Sequence, residues 1–310
     1  MSAPAMKPIH LLLCLAVAAT WGVNFVVIHV GIGAFPPLLF AALRFLGASL
    51  PVLVLPRPKV PWSRLVVIGT ALFTGQFGFL FTGMKVGMPA GLASITLQTQ
   101  ALFTVLFAIV FLKEKPTLRL RVGCGIVFAG LTVIAMTTGV DGFTPLGLAL
   151  ILCAACSWGA GNILLRTAPR SDMLPLIAWL SLVPPLPLLA LSLLLEGPAA
   201  DWAALVHVGW PGIGALAYIV LLSTIGGFGA WGYLLKLYPA SQVAPFSALV
   251  PVFGTLSAAL LLGERFPAQR LAGMAAILVG LLVVVWPARS AIPVRPAEGP
   301  AQPSTDSVAP

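Results

Sequence analysis

Ten separate stretches of this chain, each about the 20 apolar residues needed to cross a bilayer, leave almost no polar sequence between them. The candidates are 9–30, 38–55, 65–84, 90–112, 122–140, 146–167, 173–195, 208–236, 240–262 and 271–287. Charged residues are 8% of 310 and mean hydropathy is +1.06, whereas a soluble domain carries roughly 25% charge. Water cannot solvate the outer layer of such a chain, so lipid must. The reading is an all-α polytopic membrane protein. The formal charge of +9 comes from Lys and Arg scattered over short loops, with no basic face. That excludes a nucleic-acid partner and leaves charges beside anionic headgroups.

Loop charge sets the orientation. With the N-terminus cytoplasmic, the inner segments hold Lys7, Arg57, Lys59, Arg64, Lys113, Lys115, Arg119, Arg121, Arg166, Arg170, Lys236, Arg289 and Arg295. The outer segments hold Lys85, Arg265 and Arg270, so thirteen face three and both termini are expected inside. The Pro-, Ala- and Ser-rich residues 288–310 read as a disordered cytoplasmic tail, and 1–8 as a cytoplasmic N-terminus. Pro184, Pro185 and Pro187 should distort the seventh span, and Gly226, Gly227, Gly229 and Gly232 should bend the eighth.

The second half repeats the first. Residues 88–134 align with 238–284 at a constant offset of 150, with eleven identities in 47 positions. They include Pro89 and Ala90 with Pro239 and Ala240, Phe103 with Phe253, Glu114 with Glu264, Gly123 with Gly273 and Gly130 with Gly280. Earlier, Trp21-Gly22-Val23-Asn24 echoes Trp158-Gly159-Ala160-Gly161-Asn162 with one residue inserted. The units are 9–140 (helices 1–5) and 146–287 (helices 6–10). Five is odd, so the second copy enters from the opposite face, giving ten transmembrane helices as two inverted five-helix repeats. Exchange of shape between two such halves around one central site is the mark of a small-solute carrier.

These features resemble the EamA family of the drug/metabolite transporter superfamily: ten spans, the Trp-Gly-x-Asn start, the Pro-Ala opening of the fourth span, and the Glu-x8-Gly-x6-Gly close of both halves. WGVNFVVI (21–28), PPLLFAALRF (36–45), RPKVP (57–61), GMPAGLAS (87–94), LQTQALFT (97–104), SWGAGNI (157–163) and VAPFSALVPVFG (243–254) are similar to its amino-acid-exporting branch. The resemblance covers about 11–286. It implies export of cysteine, O-acetylserine and related metabolites across the bacterial inner membrane, with no cofactor.

Polar groups inside spans are costly and tend to line cavities. The candidates for substrate binding are Trp21, Asn24, Arg44, Gln76, Gln98, Gln100, Trp158, Asn162, Trp231 and Tyr233. Each Trp/Asn pair shares a helix face and could hold a carboxylate, or serve as packing and interhelical glue. Gln98 and Gln100 lie roughly 200° apart around a helix. Arg44 is roughly 10 Å into its span; it could grip a carboxylate with both arms or snorkel to headgroups. Glu114 and Glu264 read as helix-end or ion-pair residues, and Gly123, Gly130, Gly273 and Gly280 as sites of close helix approach.

The four cysteines, including the Cys153/Cys156 CxxC, lie in apolar stretches and read as packing residues rather than as a metal or redox pair. No HExxH, paired Asp or Ser/His constellation supports a membrane-embedded enzyme, and no GxxxxGK[ST] loop supports ATP hydrolysis. An importer or broad drug exporter of the same superfamily is the alternative. Every carboxylate falls in a loop, helix end or tail, so the sequence names no proton carrier and leaves energy coupling open. Expected partners are the small solute, the lipid bilayer and, as a possibility, a second copy in a homodimer.

Overall fold

The computed structural model describes residues 6–169 and 171–285, and the tail expected at 288–310 lies outside them. All regular structure among these residues is helical. Eight helices are long and apolar enough to cross a membrane: α1 (Pro8–Ala34), α3 (Trp62–Lys85), α4 (Ala90–Leu112), α5 (Leu118–Ala135), α6 (Pro145–Arg166), α7 (Met173–Leu195), α9 (Trp210–Leu237) and α10 (Ala244–Leu262). Two shorter apolar helices complete the bundle, α2 (Pro37–Leu53) and α11 (Ala268–Val284), and α8 (Pro198–Val206) is a short connector. The chain is therefore a multi-pass membrane protein. Leu53, Leu186, Leu194 and Leu260 point outward with most of their surface exposed, as a lipid-facing layer requires.

Local chemistry explains the interruptions. In α7 a turn at 181–184 separates Met173–Leu180 from Pro185–Leu195, because Pro184, Pro185 and Pro187 withhold N–H donors. In α3 and α9 the backbone widens to π-type turns, at Thr70–Gly75 and Tyr218–Gly226. The expected bend of the eighth span is this second π segment. A tighter 3-10 stretch follows the opening of α4 at Leu97–Thr99 and opens α10 at Ala244–Leu249. Both helices end in a left-handed residue, Lys113 (φ 56°) and Gly263 (φ 67°).

Loop contacts sort into two ends. At one, Lys7 N–H donates to the Tyr238 hydroxyl, Arg64 donates to the Thr167 carbonyl, Arg166 pairs with Glu114 and Lys236 with Asp172. At the other, Thr144 donates to the Val86 carbonyl, Lys85 to the Ile32 carbonyl, and Arg270 to Val140 and Asp141.

α5 and α11 run antiparallel along a seam of four glycines. A Cβ on Gly123 would stand 2.7 Å from the Gly280 carbonyl oxygen, and one on Gly130 would stand 2.7 Å from that of Gly273. The reverse tests give 2.8 and 2.9 Å. Only glycine allows two backbones this near, which is the role expected of these positions.

Candidate functional site

The site forms where α1, α2, α3 and α9 meet, and the π segment of α9 assembles it. The Trp21 indole N–H on α1 donates to the Ser223 carbonyl oxygen at 2.9 Å. A wide π turn aims carbonyls off the helix axis, which makes that oxygen available. The next residue, Thr224, turns its hydroxyl to the Ile219 carbonyl and accepts from Arg44 Nε at 3.2 Å. One widened turn thus ties α1 and α2 to α9. The Trp21 ring also packs against Phe228 and Trp231, with 5.3 Å between centroids in each case.

Arg44 is only 2% exposed, so it does not snorkel. Its guanidinium carbon lies 4.0 Å from the Phe77 ring centroid and 5.3 Å from that of Phe45, a cation–π seat that softens desolvation. Nη1 is buried without a hydrogen-bond partner. Each of the six carboxylates among the described residues is engaged elsewhere. Glu114 pairs with Arg166, Asp141 with Arg270 and Asp172 with Lys236. Glu196 accepts from the Leu38 and Leu39 N–H groups, capping α2, and shares the Ser192 hydroxyl with Asp201. Glu264 accepts from Ala90 and Gly91.

An unpaired, buried cation is expensive, and Nη1 keeps a donor free that an anion could meet. Nearby chemistry is complementary. Asn24 and Gln76, from helices packed against α2, are buried with Oδ1 and Oε1 lacking partners. These oxygens can accept from an ammonium group, while Nη1 can donate to a carboxylate.

The remaining predicted residues divide. Trp158 joins the aromatic wall through Phe73, at 6.5 Å between ring centroids, and Phe73 stacks on Phe45. Gln100 on α4 is half-buried with Oε1 unpartnered, and Gln98 is half-buried. Asn162 donates to the Thr104 hydroxyl at 3.1 Å, a bond between α6 and α4 of the gluing kind. Tyr233 is half exposed and meets His10 edge-on, away from Trp231, since two residues along a helix face opposite ways. Thr224, one of the polar residues beside the glycines of the eighth span, and Phe77, which the sequence does not single out, are the close companions of Arg44. A threonine beside a glycine-rich run was visible, but nothing in the sequence reports a π turn. The cysteines are free and carry no metal-binding group of three among the described residues.

Comparison with known proteins agrees with this architecture. The profile of the EamA-like transporter family matches residues 8–136 and again 145–286. The chain belongs to this family, and is a transporter rather than an enzyme. A probable amino-acid metabolite efflux pump of Salmonella typhimurium is 41% identical over 280 residues, 88% of this chain and 94% of that protein. Its Escherichia coli namesake is 39% identical over the same shares. The uncharacterized transporter YoaV of Bacillus subtilis is 26% identical over 87% of this chain and 94% of its own length. A crystal structure 20% identical in sequence superposes with a TM-score of 0.58, covering 90% of this chain and 97% of its own, which supports the fold.

Proposed function

We propose that the chain exports zwitterionic amino-acid metabolites, cysteine and O-acetylserine among them, across the bacterial inner membrane by alternating access around Arg44. The observation that carries the reading is the buried guanidinium with a free Nη1, on a helix packed against those that carry the unpartnered acceptors of Asn24 and Gln76. An α-amino acid offers the matching pair, a carboxylate for the cation and an ammonium for the amide oxygens. The two relatives named as probable amino-acid metabolite efflux pumps support the substrate class.

The two-sided mechanism rests on repeat symmetry. A Cβ on Gly22 of α1 would strike Phe253 and the Val250 carbonyl of α10, and one on Gly159 of α6 would strike Phe103 and the Thr104 nitrogen of α4. These contacts exchange when the halves are exchanged, as Gly22 echoes Gly159 and Phe253 echoes Phe103. The antiparallel glycine seam has the same property, which supports ten spans in two inverted sets of five. The thirteen-to-three distribution of Lys and Arg supports a cytoplasmic face at the Glu114 end, with both termini there. Neither substrate nor cycle calls for a cofactor.

Counterflow in proteoliposomes tests the proposal: labelled cysteine or O-acetylserine should exchange, and unrelated amino acids should not. Arg44→Lys keeps the charge but loses the fork, so full export by that variant would refute carboxylate capture by the guanidinium. No movement of any amino acid would refute the substrate class.

A further inference from the structure

We propose that Glu264 and Glu114 are the gate carboxylates of the transport cycle, alternately capping the helix that faces each of them. Glu264 does so in this structure. Its Oε1 accepts from Ala90 N–H at 2.7 Å and its Oε2 from Gly91 N–H at 3.0 Å. These groups open α4 and have no partner within their own helix, and the helix dipole favours a negative charge there. The carboxylate sits just beyond the last turn of α10, so the cap bolts the end of a helix in one half to the start of a helix in the other. The fit is close: a Cβ on Gly91 would stand 2.9 Å from Glu264 Oε2 and 2.5 Å from the Phe266 ring. Ala90 through Thr96 are all buried behind it.

The opposite end has the same parts in a different arrangement. Glu114, 150 positions before Glu264, closes α4, and Ala240 and Ser241 are the counterparts of Ala90 and Gly91. Here Glu114 is exposed and paired with Arg166 at 3.0 Å. The segment answering to Ser94, Ile95 and Thr96 is open, with Ala244 and Pro245 exposed and Phe246 half-buried. One end is capped by its carboxylate and the other is not, the asymmetry expected of one of two states. In the other, the Glu114 carboxylate accepts from the Ala240 and Ser241 N–H groups, which open the short helix Ala240–Val243 ahead of α10, while Glu264 lets go. The bulk is distributed to suit, since Gly91 faces Phe266 while Ser241 has Pro116 at the matching place.

Each state also needs somewhere to park the released carboxylate. Arg166 holds Glu114 in the observed state. At the other end His29, Arg265 and Arg270 line a cavity of about 410 Å³ together with Glu264. That cavity is the vestibule outside the sealed gate. The inference rests on the alternating-access reading but not on its substrate.

The test is external labelling without any substrate. Met88 lines the vestibule and is only 2% exposed while Glu264 caps α4. A Met88→Cys reporter is placed in full-length protein with the four native cysteines replaced, and right-side-out vesicles receive a membrane-impermeant maleimide. Glu264→Gln should raise the labelling rate about tenfold, the change that loss of one charge-assisted hydrogen bond brings. Arg166→Ala frees Glu114 to cap and should raise the rate roughly threefold, because the pair it breaks is exposed. Glu114→Gln removes the stronger cap and should lower the rate.

These last two variants break the same surface ion pair, so a merely structural pair would give them the same sign. Opposite signs support the gate even if Glu264→Gln does not fold. Equal signs, or changes under about twofold in both, overturn it. Failed counterflow with the labelling pattern intact would refute the substrate assignment alone.

Discussion

The widened turn at Thr70–Gly75 and the one at Tyr218–Gly226 are built alike and used differently. Each accepts a bond from the Trp-bearing helix of the other half: Ser157 donates to the Ala71 carbonyl at 2.8 Å, and Trp21 donates to the Ser223 carbonyl at 2.9 Å. Each has a glycine where a Cβ would run into that donor, Gly75 against Ser157 and Gly227 against Trp21. The scaffold is therefore duplicated. The chemistry is not. Thr224 accepts from Arg44, whereas Thr74, 150 positions earlier, is buried with its hydroxyl unpartnered. The two widened turns share a scaffold, and only the second meets a buried charge.

The sharpest way to break the comparison is at Arg44. Arg44→Met should cut counterflow at least about 100-fold, as expected when the sole charged contact of a bound carboxylate is lost. Its thermal stability should rise, because an unpaired buried charge has been removed. A fall in stability with transport retained would make Arg44 a structural residue. Scaffold substitutions should behave alike in both halves instead. Gly22→Ala and Gly159→Ala each push a methyl into backbone and should destabilise by about 1–3 kcal/mol in thermal unfolding. If one site tolerates the methyl, the duplicated packing is not equivalent.

Smaller effects separate the two threonines. Thr224→Val removes the partner of Arg44 Nε and should raise the substrate KM about fivefold, close to 1 kcal/mol. Thr74→Val, its isosteric counterpart, should leave transport within about twofold. The smallest expected change is in the crossed bonds: Trp21→Phe and Ser157→Ala should each lower stability by about 1 kcal/mol. Unequal losses would show that one widened turn depends on its donor more than the other.

Much of this was legible in the chain. Hydrophobic length exposed the spans, and matched Pro, Glu and Gly exposed the repeat, since those residues are held by backbone demands that an aliphatic position lacks. Arg44, Asn24 and Gln76 stood out because polar groups in lipid are rare. What stayed hidden depends on backbone geometry or distant contact. Thr224 acquires its role from a π turn, and Glu196 caps α2 from far along the chain, which no local pattern announces. Tyr233 stands out beside the glycines of its span, and helical periodicity turns it toward His10 and away from Trp231.

Because the glycine seam between α5 and α11 consists of the same four residues read from either direction, its energy would be unchanged if the halves traded shapes as proposed. On that proposal it would act as an unbiased hinge pin, holding the molecule together without favouring either face. Any preference for one orientation at rest must then come from features that differ between the ends, down to a single phenylalanine where the other end has proline.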